Sequence, residues 1–218
     1  MKLYLRYGII YIALVLGINL AFDFSWATLG DFFYVIAIVA LPAIIVSIVV
    51  RIVPQSIFNP KNALFNVKEK ETQRLQKLKV HKWKDKIPEV GSAKGFKKNK
   101  LYDPYNPNYI KEFLKESCIA EAIHSMSILW GLISLLLVPK HLLLPLGIPI
   151  FVFVFLVHIF PILIQRYIRP RLQRTLEMIE KRQAKQQQTE NNTQAQSTDQ
   201  PFSTEQVAEN QSKTTQEN

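Results

Sequence analysis

The chain has 218 residues, 48% of them hydrophobic, a formal net charge of +10, seven glycines and one cysteine. A single cysteine excludes an internal disulfide framework and a cysteine-rich metal site, and the lack of a glycine-rich phosphate-cradling loop argues against ATP chemistry. The apolar residues come in long blocks between charged stretches, which places the chain among integral membrane proteins.

The first block, Tyr4 to Phe22, is broken only by Arg6 and Asn19. Lys2 and Arg6 ahead of it also fit a signal peptide, but the run is long for one and no small-x-small cleavage site follows, so an uncleaved anchor is expected. A short loop carrying Asp23 and Asp31 leads to Phe32–Val50, which has no charge. The third block runs from about Ile119 to Val138. It opens with Glu121, His124 and Ser125, so its purely apolar part starts at Met126. The fourth, Leu142 to Ile164, has His158 as its ionisable group. At about 1.5 Å per residue these lengths suit a bilayer core of about 30 Å. The fold expected is an all-α integral membrane protein with about four transmembrane helices in two hairpins. The Pro139-Lys140-His141 break forces a tight turn between spans three and four, and Pro145, Pro149 and Pro161 would kink the fourth helix.

Basic residues flank the proposed helix ends on one side, from Lys2, Arg6 and Arg51 through Lys111 and Lys115 to Arg166–Arg174, while the other side has only Lys140. Positive-inside topology then puts both termini and the long central loop in the cytoplasm of a multi-pass cell-membrane protein. The net charge is accounted for by that topology and by attraction to the lipid bilayer, with no need for nucleic acid.

Four regions follow: 1–53, the first hairpin; 54–118, a basic cytoplasmic interfacial loop; 119–185, the second hairpin with a basic juxtamembrane helix; and 186–218, a polar tail. In the loop, Leu75, Leu78 and Trp83 recur among charges at helical spacing, which predicts an amphipathic interfacial helix over Val67–Trp83. Trp83 between lysines suits a headgroup-level anchor. A turn-rich basic run through Gly91, Gly95, Lys97, Lys98 and Lys100 follows, and a helix over Tyr109–Cys118 leads directly into span three. The tail is rich in Gln, Asn, Thr and Ser and is expected to be disordered.

Candidate chemistry lies where spans three and four meet the cytosol. Glu121 and His124 are at i and i+3 and share a helix face; a carboxylate beside an imidazole fixes its tautomer and supports a general base, although a satisfied interfacial pair has the same spacing. Arg166, Arg169 and Arg171 suit phosphates by their fork geometry, and they equally suit positive-inside topology. His158 within a span is either functional or a neutral ring bonded to a helix carbonyl. The histidines at 81, 124, 141 and 158 are too scattered for a metal cluster, and no metal or cofactor is expected.

The blocks Phe58-Asn59-Pro60, Trp83-Lys84-Asp85-Lys86-Ile87-Pro88, Glu116, Ala120-Glu121-Ala122-Ile123-His124, Ser127-Ile128 and Gln165-Arg166-Tyr167-Ile168-Arg169-Pro170-Arg171-Leu172 together resemble the glycosyl-4,4'-diaponeurosporenoate acyltransferase family. The resemblance covers roughly Pro54 to Leu172. It departs at Ser125, where the family usually has tryptophan, and at Ile168, where it usually has asparagine. It implies a membrane acyltransferase that moves a fatty acyl chain onto the glucose of a glycosyl carotenoid ester, the last step of staphyloxanthin-type pigment synthesis. His124 would be the base and Glu121 its orienting partner. Arg166, Arg169 and Arg171, together with Gln165, Tyr167, Trp83, Lys84 and Lys86, would bind substrate. Fatty acyl-CoA is the implied donor, an amphiphilic glycosyl carotenoid the acceptor, and other pigment-pathway membrane enzymes the neighbours. The alternative from another class is a non-enzymatic membrane scaffold or lipid-binding protein; a small transporter is disfavoured because no span carries paired charges at mid-depth.

Overall fold

In the computed structural model, residues 2–21, 26–87 and 101–198 are described, and all regular structure among them is helical. The chain divides into two units, Met1–Leu176 and Glu177–Asn218. The helices are α1 (Lys2–Ala21), α2 (Trp26–Ile52), α3 (Glu69–Lys77), α4 (Val80–Trp83), α5 (Pro107–Ser134), α6 (Lys140–Leu142) and α7 (Ile148–Thr198). Three stretches are long and apolar enough to cross a membrane: Leu29–Ile52, Pro107–Ser134 and Lys140–Asn192. The apolar part of α1, Gly8–Gly17, is shorter. The loop around Asp23, the basic run through Lys97 and Lys100, and residues 199–218 lie outside the described residues.

Helix α5 starts where its sequence says it should. Pro107 occupies the first turn, and Asn106 Oδ1 accepts from the backbone N–H groups of Asn108 (3.0 Å) and Tyr109 (3.4 Å), supplying partners for orphan donors. The interfacial helix expected over Tyr109–Cys118 and span three are thus one continuous rod. It turns back through residues 135–139, α6 and a π-helical turn at Leu143–Gly147. Pro145 falls in that turn and Pro149 in the first turn of α7, so of the three prolines expected to kink the helix only Pro161 lies well inside it, joined by Pro170.

The α5/α7 hairpin is close-packed. A Cβ on Gly131 would lie 3.2 Å from Phe151 Cδ2, so the missing side chain is what admits the ring. Gly131→Leu is expected to lower stability by about 1–3 kcal/mol through overpacking, measurable as an earlier thermal transition in detergent; an unchanged transition would contradict this packing.

Two apolar clusters hold the first unit together. One gathers Val15 of α1, Phe32, Val35 and Val39 of α2, and Val138, Leu142, Leu146, Ile150 and Val154 at the hairpin tip. Tyr11 stacks on Phe153 there at 4.4 Å. The other joins Val50, Cys118 and Ile119 to Phe58 and Phe65 of the loop after α2. Trp130 Nε1 donates to Ile38 O (3.2 Å), tying α5 to α2. Exposed Ile44, Ile45, Ile48, Leu129 and Leu132 form the outer surface of the spans, as expected where lipid is the solvent.

The central loop differs from expectation in one respect. Val67–Trp83 is not one amphipathic helix: α3 ends after Lys77, and Lys79 adopts φ 52°, a left-handed conformation that costs a non-glycine residue about 1–2 kcal/mol. The break re-aims the chain so that Leu75 and Val80 are buried while Leu78 is exposed. The polar tail also departs from expectation. Helix continues through residues 186–198 instead of ending in disorder near Lys185. Gln, Glu, Ala and Lys are adequate helix formers, and extending an existing helix carries no nucleation penalty.

Candidate active site

Ser117, Glu121 and His124 recur at four and three residues on α5 and therefore lie along one stripe. On α7, His158, Gln165, Arg166 and Arg169 recur on the facing stripe. Antiparallel packing brings the two stripes together in two tiers.

The first tier is a network of charges. Glu121 accepts from Arg166, with Nε 2.7 Å from Oε1, and its Oε2 lies 2.6 Å from Arg169 Nη2. That second approach is a close ion pair made off the N–H direction, so Oε2 has no aligned hydrogen bond. Arg166 Nη1 reaches Glu71 Oε1 of α3 at 2.6 Å, and its Nη2 donates to Leu64 O at 2.7 Å. Arg169 is fully buried. It donates through Nη1 to Phe65 O (2.7 Å) and through Nη2 to Ser117 O and Oγ (both 3.2 Å), with its guanidinium over the Phe65 ring. Two carboxylates and two guanidinium groups balance, so each buried ion has a counter-ion. The network straps the Leu64–Phe65 loop and α3 onto the N-terminal half of α5 and the middle of α7, and Arg51 of α2 adds a 3.7 Å ion pair to Glu116.

The second tier is a pair of histidines. His124 Nδ1 lies 2.7 Å from His158 Nδ1, with the rings tilted 51°. The ring partner of His124 is therefore His158 and not Glu121, whose carboxylate is taken by the arginines. The i, i+3 spacing gave a shared face without a shared bond. A single hydrogen bond between two Nδ1 atoms has a chemical consequence: one ring must carry the proton at Nδ1 and the other accept it. The donating ring then has an unprotonated Nε2, whose lone pair can act as a base. The accepting ring keeps a proton on Nε2.

The other expected residues separate by position. Arg166 and Arg169 are held inside the protein by ion pairs and hydrogen bonds, although the buried Nε of Arg169 has no partner, and Arg171 is the exposed member of the three; its guanidinium stacks over Tyr167 at 4.6 Å. Gln165 Oε1 is buried with no hydrogen-bond partner. Trp83 is not spread as a free headgroup anchor. It is half-buried, donates from Nε1 to Leu78 O (3.1 Å), and meets Phe160 of α7 edge-on at 5.4 Å. Lys84 sits 2.6 Å from Asp85, and Lys86 is exposed. Among the described residues no cluster of three or more His, Cys, Asp or Glu could hold a metal ion.

These side chains lie within one matched region. The CrtO family model, glycosyl-4,4'-diaponeurosporenoate acyltransferase, matches residues 54–178, more than half of the chain. The chain belongs to this acyltransferase family. No curated relative and no solved structure shows a significant match. The CrtO match begins at the loop after α2, so α1 and α2 lie outside it, while the charge network, the histidine pair and Arg171 all lie inside.

Sequence spacing did not reveal His158 as the partner of His124, nor Glu71 and the Leu64 and Phe65 carbonyls as partners of the arginines. The separations are 34, 95, 102 and 104 residues, beyond any helical periodicity. One signal was available for His158: a tight hairpin centred near Pro139–His141 places residue 124 opposite the mid-150s.

Proposed function

We propose that this protein transfers a fatty acyl group from acyl-CoA to the primary hydroxyl of the glucose on a glycosyl carotenoid ester, at the cytosolic face of the cell membrane, as the last step of staphyloxanthin-type pigment synthesis. The observation that carries this reading is the His124–His158 pair, held within an acyltransferase-family region beside a charge network.

His124 accepts the proton of the sugar hydroxyl at Nε2 as the oxygen attacks the thioester carbonyl, and its Nδ1–H donates to His158. His158 thus fills the orienting role first given to Glu121: it fixes the tautomer and spreads the charge of the imidazolium. The tetrahedral intermediate collapses with loss of the CoA thiolate, which takes the proton back from His124. One ester bond forms and one thioester bond breaks. Glu121, Arg166 and Arg169 act as positioning residues, fixing α5 against α7 so that the imidazoles meet. Gln165, with a buried unpaired Oε1, is the group suited to receive a sugar hydroxyl.

The topology that suits this chemistry has four spans. In it α1 crosses beside α2, as the packing of Val15 and Tyr11 into the hairpin-tip cluster supports, and both termini and the central loop face the cytosol, where acyl-CoA is found. Membranes containing the protein, given a glucosylated carotenoid acid and a fatty acyl-CoA, are expected to yield an acceptor heavier by one acyl group in the mass spectrum. Absence of that product with any glucosylated acceptor would move the protein to the scaffold reading.

A further inference from the structure

A cavity of about 260 Å³ opens beside α7, lined by Lys84, Leu101, Phe113, Tyr167, Arg171 and Leu172 among others. It lies away from the histidine pair and takes no part in the chemistry described so far. Its lining has two characters. Leu101, Phe113 and Leu172 give an apolar floor, while Arg171 and Lys84 bring positive charge, and among the described residues no carboxylate lines it. Of the three arginines of α7 in this region, Arg171 alone makes no ion pair to a described residue; its plane is held by the Tyr167 ring instead. An exposed guanidinium fixed by stacking is preorganised for bidentate phosphate. Lys84 already meets Asp85, so it adds charge at the rim more than a fixed contact.

Position along α7 gives the cavity its meaning. Arg171 is thirteen residues beyond His158, about 20 Å at 1.5 Å per residue. That matches the reach of a phosphopantetheine arm, which separates the nucleotide phosphates of a CoA thioester from its reacting carbonyl. The volume is just below the usual range of small-molecule sites, about 300–1,000 Å³, so the cavity suits one end of an elongated ligand and not the whole of it.

We infer that the Arg171–Lys84 cavity binds the nucleotide phosphates of the acyl-CoA donor, one helix length from the histidines that act on its thioester. The inference rests on the acyltransferase reading and adds to it the location of the donor's far end. Arg166 and Arg169, which are held in internal ion pairs with Glu121, take no part.

The test uses the full chain in nanodiscs and radiolabelled CoA without an acyl group, read by equilibrium binding. Arg171→Gln is expected to weaken CoA binding by about tenfold to a hundredfold, the range of one lost charge-assisted pair, and Arg171→Lys by less, because charge survives and the fork does not. CoA lacking its 3'-phosphate would bind more weakly than CoA to the wild type. His124→Gln should leave CoA binding unchanged while slowing acyl transfer by about 10²–10⁴-fold, which separates the two claims: CoA binding by the wild type without any transfer would sink the reaction and keep the cavity. Equal CoA binding by wild type and Arg171→Gln would overturn the assignment even if acyl transfer proceeds. Loss of CoA binding when phosphatidylglycerol is added to otherwise neutral nanodiscs would also overturn it, in favour of a lipid headgroup at Arg171.

Discussion

Arg169→Met is expected to lower the stability of the protein by about 3–5 kcal/mol, the range for removing one partner of a buried ion pair. Arg169 is fully buried and Glu121 nearly so, with a side chain 6% exposed. Without Arg169, the Glu121 carboxylate keeps only Arg166, which also serves Glu71, and the Phe65 and Ser117 carbonyls lose their donor. The double variant Arg169→Met with Glu121→Leu should recover part of the loss, since it removes the orphaned charge and leaves Arg166 with Glu71. Thermal unfolding in detergent measures both. A single variant as stable as the wild type would mean that the network does not hold the hairpin and loop together.

The second large effect is catalytic. His124→Gln is expected to reduce the turnover of acyl transfer by about 10²–10⁴-fold, the usual contribution of a positioned base. His158→Gln should cost less, about 10–100-fold, in line with the loss of a residue that orients a working group. Glutamine at 158 can still hydrogen-bond the His124 ring but cannot share its proton. If the two histidines were packing residues only, both variants would lower abundance and leave turnover per molecule unchanged.

Much of the architecture can be read in the sequence because membrane helices are written in local terms. Phe32–Val50 has no charge and became the heart of α2, and the Asn106-Pro107 pair marks the start of α5 before any contact is known. The Pro139-Lys140-His141 break correctly forces a hairpin. What local terms do not carry is which polar group meets which. Glu121 and His124 share a face by spacing, yet the choice of arginines for one and histidine for the other is made by α7, across the hairpin. The three arginines have the same local motif and three different environments, because the loop that supplies Leu64 and Phe65 covers Arg166 and Arg169 but not Arg171. The break at Lys79 was hidden for a related reason. No glycine marks the left-handed position, so only the burial of Leu75 and Val80 on either side of it shows why the helix must end.

The central claim is that His124, oriented by His158, removes a proton from the acceptor hydroxyl during acyl transfer. Its most direct test compares wild type, His124→Gln and His158→Gln at matched abundance in isolated membranes, with a glucosylated carotenoid acid and a fatty acyl-CoA, and follows the mass gain of one acyl group with time. The account predicts rapid product from the wild type, a slower rate from His158→Gln and the slowest from His124→Gln. Equal rates from wild type and His124→Gln would contradict it.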